Sequence, residues 1–333
     1  AEASSNYYYV RYEQKNPGDG YANDGGYYGM GNSTKEQTNL NANFHVNKQL
    51  NDDFEIHGFI RGEYYNSFSQ AQSLNTDGGL VVPNQYFINN SKNAVKYSGN
   101  ISGEKTMMSV VGQVGTSWKN QLYLDITGRN DWSSSLVYGD GHGTFSYFYP
   151  SVSGAIVFSQ FLQDQGILDR DAVLSFGKIR ASWARVGKDT SPYETNTALW
   201  PVGTFLNGMT GIGNSWTRGN PGLKPETTQS TEYGIELRFF KNRLKLDYAY
   251  YTNDSYDQII SPRGAQSTGY IFCSVNVGNV LNKGMELSIS GTPIETKDWT
   301  WETGINMAGN RGKLENLPKG MDIMYVTDVQ YGN

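Results

Sequence analysis

The side chains in this 333-residue chain that could carry out acid–base or metal chemistry are its carboxylates, its three histidines and its single cysteine. His45, His57 and His142 lack the spacing of metal ligands, and Cys273 alone forms neither an internal disulfide nor a thiolate cluster. No loop has the Asp-rich spacing of a calcium-binding hand. Several carboxylates could pair across strands, but a polar surface lining a cavity explains them more simply; they are Asp125, Glu236, Asp247, Glu286 and Glu302. We therefore predict no catalytic residue, no metal site and no cofactor, and so no enzyme.

The composition excludes several classes of protein. There are 27 Lys and Arg against 32 Asp and Glu, a net charge of −5, whereas a nucleic-acid-binding protein needs a concentrated basic face. The mean hydropathy is −0.57, and no apolar run approaches the ~18 residues of a membrane-spanning helix. The 24 Tyr, 14 Phe and 7 Trp argue against disorder, because disordered chains are poor in aromatic residues. A large β-structure with thinly spread apolar residues fits this profile.

Apolar and polar residues alternate with a period of two along much of the chain. Leu122, Leu124 and Ile126, for example, share one face of a strand and Asp125 lies on the other, because successive strand side chains point to opposite sides. One short helix is predicted within Gln160 to Ala172. The alternation predicts eleven strands, near 7–13, 38–50, 53–66, 106–118, 120–131, 144–159, 174–187, 228–240, 243–257, 281–293 and 298–310.

The predicted connections alternate in length. In antiparallel order, every tight turn lies at one end of the sheet and every long loop at the other, with 160–173 as the exception. This is the topology of an outer-membrane β-barrel. The tight turns are predicted at 50–52, 119–120, 241–242 and 295–297, and the long loops near 14–37, 67–105, 132–143, 188–227 and 258–280.

Charged residues in the middle of strands indicate which face meets lipid. An Arg or Lys that faces lipid near the middle of the bilayer costs about 2–4 kcal/mol. Arg180, Arg238 and Lys245 are predicted to lie mid-strand, so the polar row faces a lumen and the apolar row faces outward. Aromatic residues at strand ends fit the two interfacial girdles; they are Tyr64, Tyr65, Trp118, Trp132, Tyr147, Tyr149, Tyr250, Tyr251, Trp299 and Trp301.

Five segments between about residues 100 and 310 carry a family resemblance. They are Gly128–Leu136 (GRNDWSSSL), Ser146–Ser153 (SYFYPSVS), Lys178–Trp183 (KIRASW), Asn220–Thr227 (NPGLKPET) and Asn279–Glu286 (NVLNKGME). In order and spacing they resemble the SusC/RagA branch of TonB-dependent outer-membrane transporters from Bacteroidetes. The first two segments are the most specific, whereas the fourth is shared with the wider TonB-dependent superfamily.

The resemblance implies an all-β fold, a transmembrane antiparallel β-barrel to which this chain contributes about eleven of 22 strands. Residues 1–333 would then form one partial barrel domain, with the N-terminal plug and the C-terminal strands absent from the chain. An open half-barrel would expose two sheet edges to lipid. We therefore expect the chain to be an internal portion of a longer protein.

The resemblance also implies a function, which is TonB-dependent import of an oligosaccharide or a peptide across the outer membrane of a Bacteroidetes-like Gram-negative cell. The implied partners are a SusD-like surface lipoprotein, the TonB complex through the absent N-terminal region, and membrane lipid. The candidate lumen-facing residues are Arg180, Glu236, Arg238, Lys245, Asp247 and Glu286. Loops 188–227 and 258–280 are the segments expected to contact substrate or lipoprotein, and the candidate contact residues are Trp200, Phe205, Trp216, Tyr256 and Tyr270.

Two alternatives remain open on the sequence. A siderophore-type TonB-dependent receptor would have the same barrel but no lipoprotein partner. A soluble all-β glycan-binding module would pack its apolar rows against a second sheet and would need no detergent.

Overall fold

The structure is a computed structural model that describes residues 1–18, 24–138, 141–169, 172–204 and 209–315. For residues 100–102, 200–204, 210 and 266 it describes the backbone only. The described residues divide into two compact units. The first contains Ala1–Ala42 and Glu63–Met108, and the second contains Asn43–Gly62 and the described residues from Ser109 onward. Within this described part, no helix is both long and apolar enough to cross a membrane.

The main structural element is an antiparallel sheet whose long strands follow one another in chain order. Its eleven strands are β1 (Glu2–Asn16), β2 (Tyr27–Gln49), β3 (Phe54–Asn75), β4 (Lys96–Trp118), β5 (Leu122–Ser133), β6 (Ser146–Ile156), β7 (Leu174–Lys188), β11 (Glu226–Phe239), β12 (Leu244–Tyr256), β16 (Asn279–Glu295) and β17 (Thr300–Glu315).

The connections contain short elements. Three two-stranded sheets pair β8 (Leu199–Thr204) with β9 (Thr210–Asn214), β10 (Thr217–Arg218) with β14 (Phe272–Cys273), and β13 (Ile259–Ile260) with β15 (Val275–Asn276). One α-helix, α1 (Phe158–Asp164), joins β6 to β7. Single 3-10 turns lie at Ile88–Asn90, Ser134–Leu136 and Gln266–Thr268.

The eleven predicted strands are confirmed, but the first loops were predicted too long. β1 pairs with β2 as far as Asn16 and Tyr27, so most of the predicted loop 14–37 is strand. About half of the predicted loop 67–105 is also strand, because β3 extends to Asn75 and β4 begins at Lys96. The reason is that a ladder is held by backbone hydrogen bonds, so Gly, Asn and Ser side chains do not end it where pairing continues. The helix is confirmed but begins earlier than predicted, at Phe158.

In the first unit, the loop 76–95 folds back and closes on itself. Thr76 and Tyr28 exchange backbone and hydroxyl hydrogen bonds, and Leu80 is fully buried. The Asn90 side-chain amide donates to the carbonyls of Val82 and Gln85 at 2.8 and 2.6 Å. The buried Asn90 side chain thus adds to the backbone hydrogen bonds that close the loop, such as that from the Val81 N–H to the Asn90 carbonyl.

In the second unit, two of the tight turns have left-handed backbone. Lys119 and Asn120 have φ of 50° and 55°, and Phe240, Lys241 and Asn242 have φ of 55° to 72°. Turns of this hand match the twist of the flanking strands. The connection through α1 is the longer exception at this end, as predicted, and the Gln121 amide on the neighbouring turn donates to the Asp164 carboxylate of α1.

Candidate substrate-facing surface

The register of the second unit places charged and apolar residues on opposite faces of the sheet. Directly paired residues point to the same side of a sheet, and Glu236 on β11 pairs with Lys178 on β7 and with Asp247 on β12. The polar face formed in this way contains Lys178, Arg180, Glu232, Glu236, Arg238, Lys245, Asp247 and Glu286. The opposite face contains Leu124, Ile126, Val152, Ile179, Ile235, Leu246, Leu287, Ile305 and Met307.

The apolar face of the second unit is not covered by a second layer of the described chain. On strands with neighbours on both sides, Ile126 is 55% exposed, Ile179 49% and Leu124 44%. Monomeric soluble proteins rarely expose a continuous apolar surface of this kind, so the face fits a surface that is covered by lipid.

Arg180 is the centre of the polar face. Its guanidinium donates two hydrogen bonds to the Asp247 carboxylate, at 2.9 and 3.0 Å, and lies 3.6 Å from Glu232. Gly234 makes this possible, because a Cβ there would lie 2.5 Å from the guanidinium carbon of Arg180. A Gly in the middle of a polar strand row thus lets one Arg reach across a neighbouring strand.

Glu236 and Arg238 form a second charged pair on β11. Arg238 donates from Nε and Nη2 to one Glu236 oxygen, at 2.9 and 2.6 Å, and its guanidinium lies 4.7 Å from the centre of the Phe176 ring. Lys245 lies beside Arg238 across the β11–β12 ladder, and Glu286 on β16 is paired with Ala249 on β12. The side chains of Lys245 and Glu286 are exposed. All six predicted residues therefore occur on one face.

A small cavity of about 320 Å³ opens on this face between β5, β6, β7 and β11. Side chains of both charge signs line it, so it offers hydrogen-bond donors and acceptors together. Its charged lining residues are Asp125, Lys178, Arg180 and Glu232.

Sequence reasoning missed a histidine–carboxylate contact on the polar face. His57 Nε2 lies 2.9 Å from Asp125 Oδ1, and the Gln113 amide donates to the same oxygen at 3.0 Å. Both side chains occupy the space above Gly115, where a Cβ would lie 2.1 Å from His57 Nε2. His57, Gln113 and Asp125 all lie at polar positions of their strands, but their sequence distances say nothing about cross-strand register.

The motif Gly128–Leu136 forms a buried polar network where β5 meets the long loops. Arg129 donates to Asp131 at 2.7 Å and to Ser109 at 2.9 Å. The Ser133 and Ser135 hydroxyls donate to the Asp189 carboxylate, at 2.5 and 3.0 Å. The motif thereby holds the start of the loop that follows β7 against the end of β5.

The long loops of the second unit also pack on one another. Leu136 and Leu223 are fully buried, and the Leu223 carbonyl accepts hydrogen bonds from Tyr138 and Thr144. Ser274 joins the last long loop to this cluster by donating to Glu194 at 3.0 Å. These contacts hold the long loops of the second unit in one defined arrangement.

The aromatic loop candidates differ in position. Trp216 is 58% exposed, while Tyr256, half-buried at the end of β12, has Arg185 5.8 Å from its ring centre. Tyr270 lies at intermediate exposure in the loop after β13. The side chain of Trp200 and all of Phe205 lie outside the described residues. Within the described residues, no group of three or more His, Cys, Asp or Glu is placed to hold a metal ion.

The chain matches the family "TonB dependent receptor-like, beta-barrel" over residues 3–322. The chain belongs to this family. It is 26% identical to TonB-dependent receptor SusC of Bacteroides thetaiotaomicron over 335 aligned residues, which cover 93% of this chain and 30% of SusC. It is 30% identical to TonB-dependent receptor P26 of Formosa agariphila, over 63% of this chain and 20% of that receptor.

Solved structures of transporters show the same fold. The structure titled "Structure of the RagAB peptide transporter" has a TM-score of 0.80 at 20% identity, covering 96% of this chain and 35% of that chain. The outer membrane transporter YddB from Escherichia coli has a TM-score of 0.53 at 14% identity, covering 87% of this chain and 34% of YddB. The long antiparallel strands of this chain are thus those of the TonB-dependent barrel family, which is an outer-membrane family. The chain spans about 20% to 30% of the length of the two curated receptors.

Proposed function

We propose that this chain forms part of the wall of a SusC/RagA-type transporter that imports a nutrient across the outer membrane. The observation that carries this proposal is the register of the second unit, which places Arg180, Arg238 and Asp247 on one face and exposed Ile126, Ile305 and Met307 on the other. The first face would line the lumen and the second would meet lipid. Family membership favours this reading over the soluble glycan-binding module.

The proposal includes a longer protein with a plug and a TonB-contacting segment N-terminal to these residues. Its support is that the chain covers only 20% and 30% of two curated relatives. Intact mass of the natural protein, with both terminal peptides sequenced, tests this. We expect about three times the present length, and a natural chain of 333 residues would contradict it.

The polar face is tested by reversing one of its charges in the full-length protein. Arg238→Glu places two carboxylates side by side, because Glu236 is the present partner of Arg238. We expect uptake to fall while barrel assembly, measured by heat-modifiable mobility on gels, stays intact. Lys297→Glu is the matched control, since Lys297 is an exposed cation in a tight turn. Wild-type uptake by Arg238→Glu would contradict the lumen assignment.

The substrate class is an oligosaccharide or a peptide, captured with a SusD-like surface lipoprotein over the long loops. The support is the relative named SusC and the solved RagAB complex, which its title calls a peptide transporter. Uptake of labelled oligosaccharide and labelled peptide mixtures, compared in cells with and without the gene, separates the two classes. Purification in mild detergent should recover the lipoprotein. Purification of the transporter alone, with binding of a ferric siderophore, would favour the siderophore-type receptor instead.

A further inference from the structure

A groove of about 470 Å³ lies on the apolar face of the second unit, near the tight turns. Leu244, Ile289 and Ile305 line it and share the outward side of β12, β16 and β17. The groove arises where the β16–β17 register shifts between Gly291 and Ile294. A bulge of this kind bends the strand and leaves space beside it. On the opposite side of the same strands, a separate cavity is lined by Lys245 and Glu302, so the two faces keep their chemical difference here.

The groove lies at the depth of the interfacial aromatic residues. Trp299 is 78% exposed in the adjacent turn, and Trp301 is two residues from Thr303, which lines the groove. Phe240 in the next turn also lines it. Aromatic side chains at strand ends mark the level of the lipid head groups. The mouth of the groove would therefore face head groups and its apolar floor would face acyl chains.

The charged residue in the lining of the groove is Arg243. Arg243 is exposed and lines the groove, and within the described residues no carboxylate lies within ion-pair distance of it. The backbone of Arg243 is held by the turn, because its N–H donates to the Phe240 carbonyl at 3.2 Å and its carbonyl accepts from the Thr292 N–H at 2.8 Å. An unpaired guanidinium beside an apolar trough complements a phosphate ester that is attached to a hydrocarbon chain.

We propose that this groove is a binding site for one anionic phospholipid of the periplasmic leaflet. Arg243 binds the lipid phosphate, and Leu244, Ile289 and Ile305 contact one acyl chain. The inference rests on the outer-membrane placement proposed above. A lipid held here covers the bulge between Gly291 and Ile294 on the lipid side of the wall.

The test is native mass spectrometry of the full-length protein in detergent, titrated with dioleoyl phosphatidylglycerol. We expect one lipid to be retained, and Arg243→Gln to weaken its binding about fivefold, which corresponds to about 1 kcal/mol for one cation at a membrane surface. Arg243→Lys should stay within about twofold of wild type. Thr303→Trp, which fills the groove while keeping Arg243, should abolish retention of the lipid.

Lys297→Gln is the matched control, because it removes the same charge from the neighbouring turn without lining the groove. Equal binding by wild type, Arg243→Gln and Thr303→Trp would overturn the site while leaving the transporter proposal intact. Glycerol 3-phosphate that displaces the lipid at equal concentration would identify a soluble phosphate-ester site instead and would also overturn the proposal. A protein that is soluble without detergent would refute the outer-membrane placement itself, which separates the two failures.

Discussion

Arg180 on β7 and Asp247 on β12 form a two-point hydrogen-bonded ion pair although β11 runs between their strands. The guanidinium passes over Gly234, the residue of β11 that pairs with Arg180 itself. Three strands of the wall are thus joined on the polar face by side chains as well as by their backbone ladders.

We predict an energetic coupling of about 1 kcal/mol between Arg180 and Asp247. Both side chains are about one-third exposed, so solvent screening reduces the ~1.5–3 kcal/mol of a hydrogen bond to a charged group. A double-mutant cycle with Arg180→Gln and Asp247→Asn, measured by urea unfolding of the full-length protein in lipid vesicles, checks this. Additive single-mutant effects would show that the two residues do not interact in the membrane.

Gly187→Ala should lower the free energy of unfolding by about 1–3 kcal/mol, the usual cost of overpacking. A Cβ at Gly187 would lie 2.3 Å from a ring carbon of the buried Tyr149, and an aromatic ring cannot fold out of the way as a long flexible side chain can. Gly62→Ala is the control, since nothing lies within 4 Å of a Cβ there. The same unfolding measurement should show a change below about 0.5 kcal/mol for the control. Equal effects of the two substitutions would rule out the Tyr149 contact as the cause.

The sequence predicts the strands well because strand side chains obey one simple period. Leu124 and Ile126 lie opposite Asp125 wherever the strand pairs, so the polar and apolar faces could be assigned before any register was known. Strand ends were less predictable, since most residues from Gly29 to Gln37 are polar or small, yet they pair residue by residue with β1. The short strands β8 to β10 and β13 to β15 lack the length for a visible period.

The candidate site was predictable as a face but not as a set of contacts. The row that contains Arg180, Glu236 and Asp247 follows from alternation alone. Which carboxylate meets Arg180 depends on the register of two ladders and on Gly234, neither of which the period reveals. The contact between His57 and Asp125 is of the same kind, because strands far apart in sequence bring the two side chains together.

Acid should loosen the loop 76–95 of the first unit. Hydrogen bonds from Lys96 and then Asn93 lower the pKa of Asp77 below its usual value of about 3.9. A lowered pKa means that Asp77 contributes stability above pH ~3.9, and that this contribution is lost as the pH falls through the lower folded-state value. Hydrogen exchange of the loop amides, corrected for intrinsic rates, should therefore become faster as the pH falls below about 3.9. Asp77→Asn should remove this pH dependence, and an unchanged profile in that variant would exclude Asp77 as its source.

Asp189→Asn should destabilise the loop that follows β7 by about 1–3 kcal/mol. Asp189 Oδ2 accepts hydrogen bonds from both Ser133 and Ser135, which are buried, and a neutral amide at this position removes the charge that strengthens both bonds. Limited proteolysis within residues 189–225 of the full-length protein should become faster, while cleavage in the other loops should change less. Asp53→Asn is the matched control, because Asp53 is exposed and lies 3.7 Å from Lys119 in a surface pair of little energetic value. Proteolysis of Asp189→Asn at the wild-type rate would mean that the motif Gly128–Leu136 organises β5 without holding this loop.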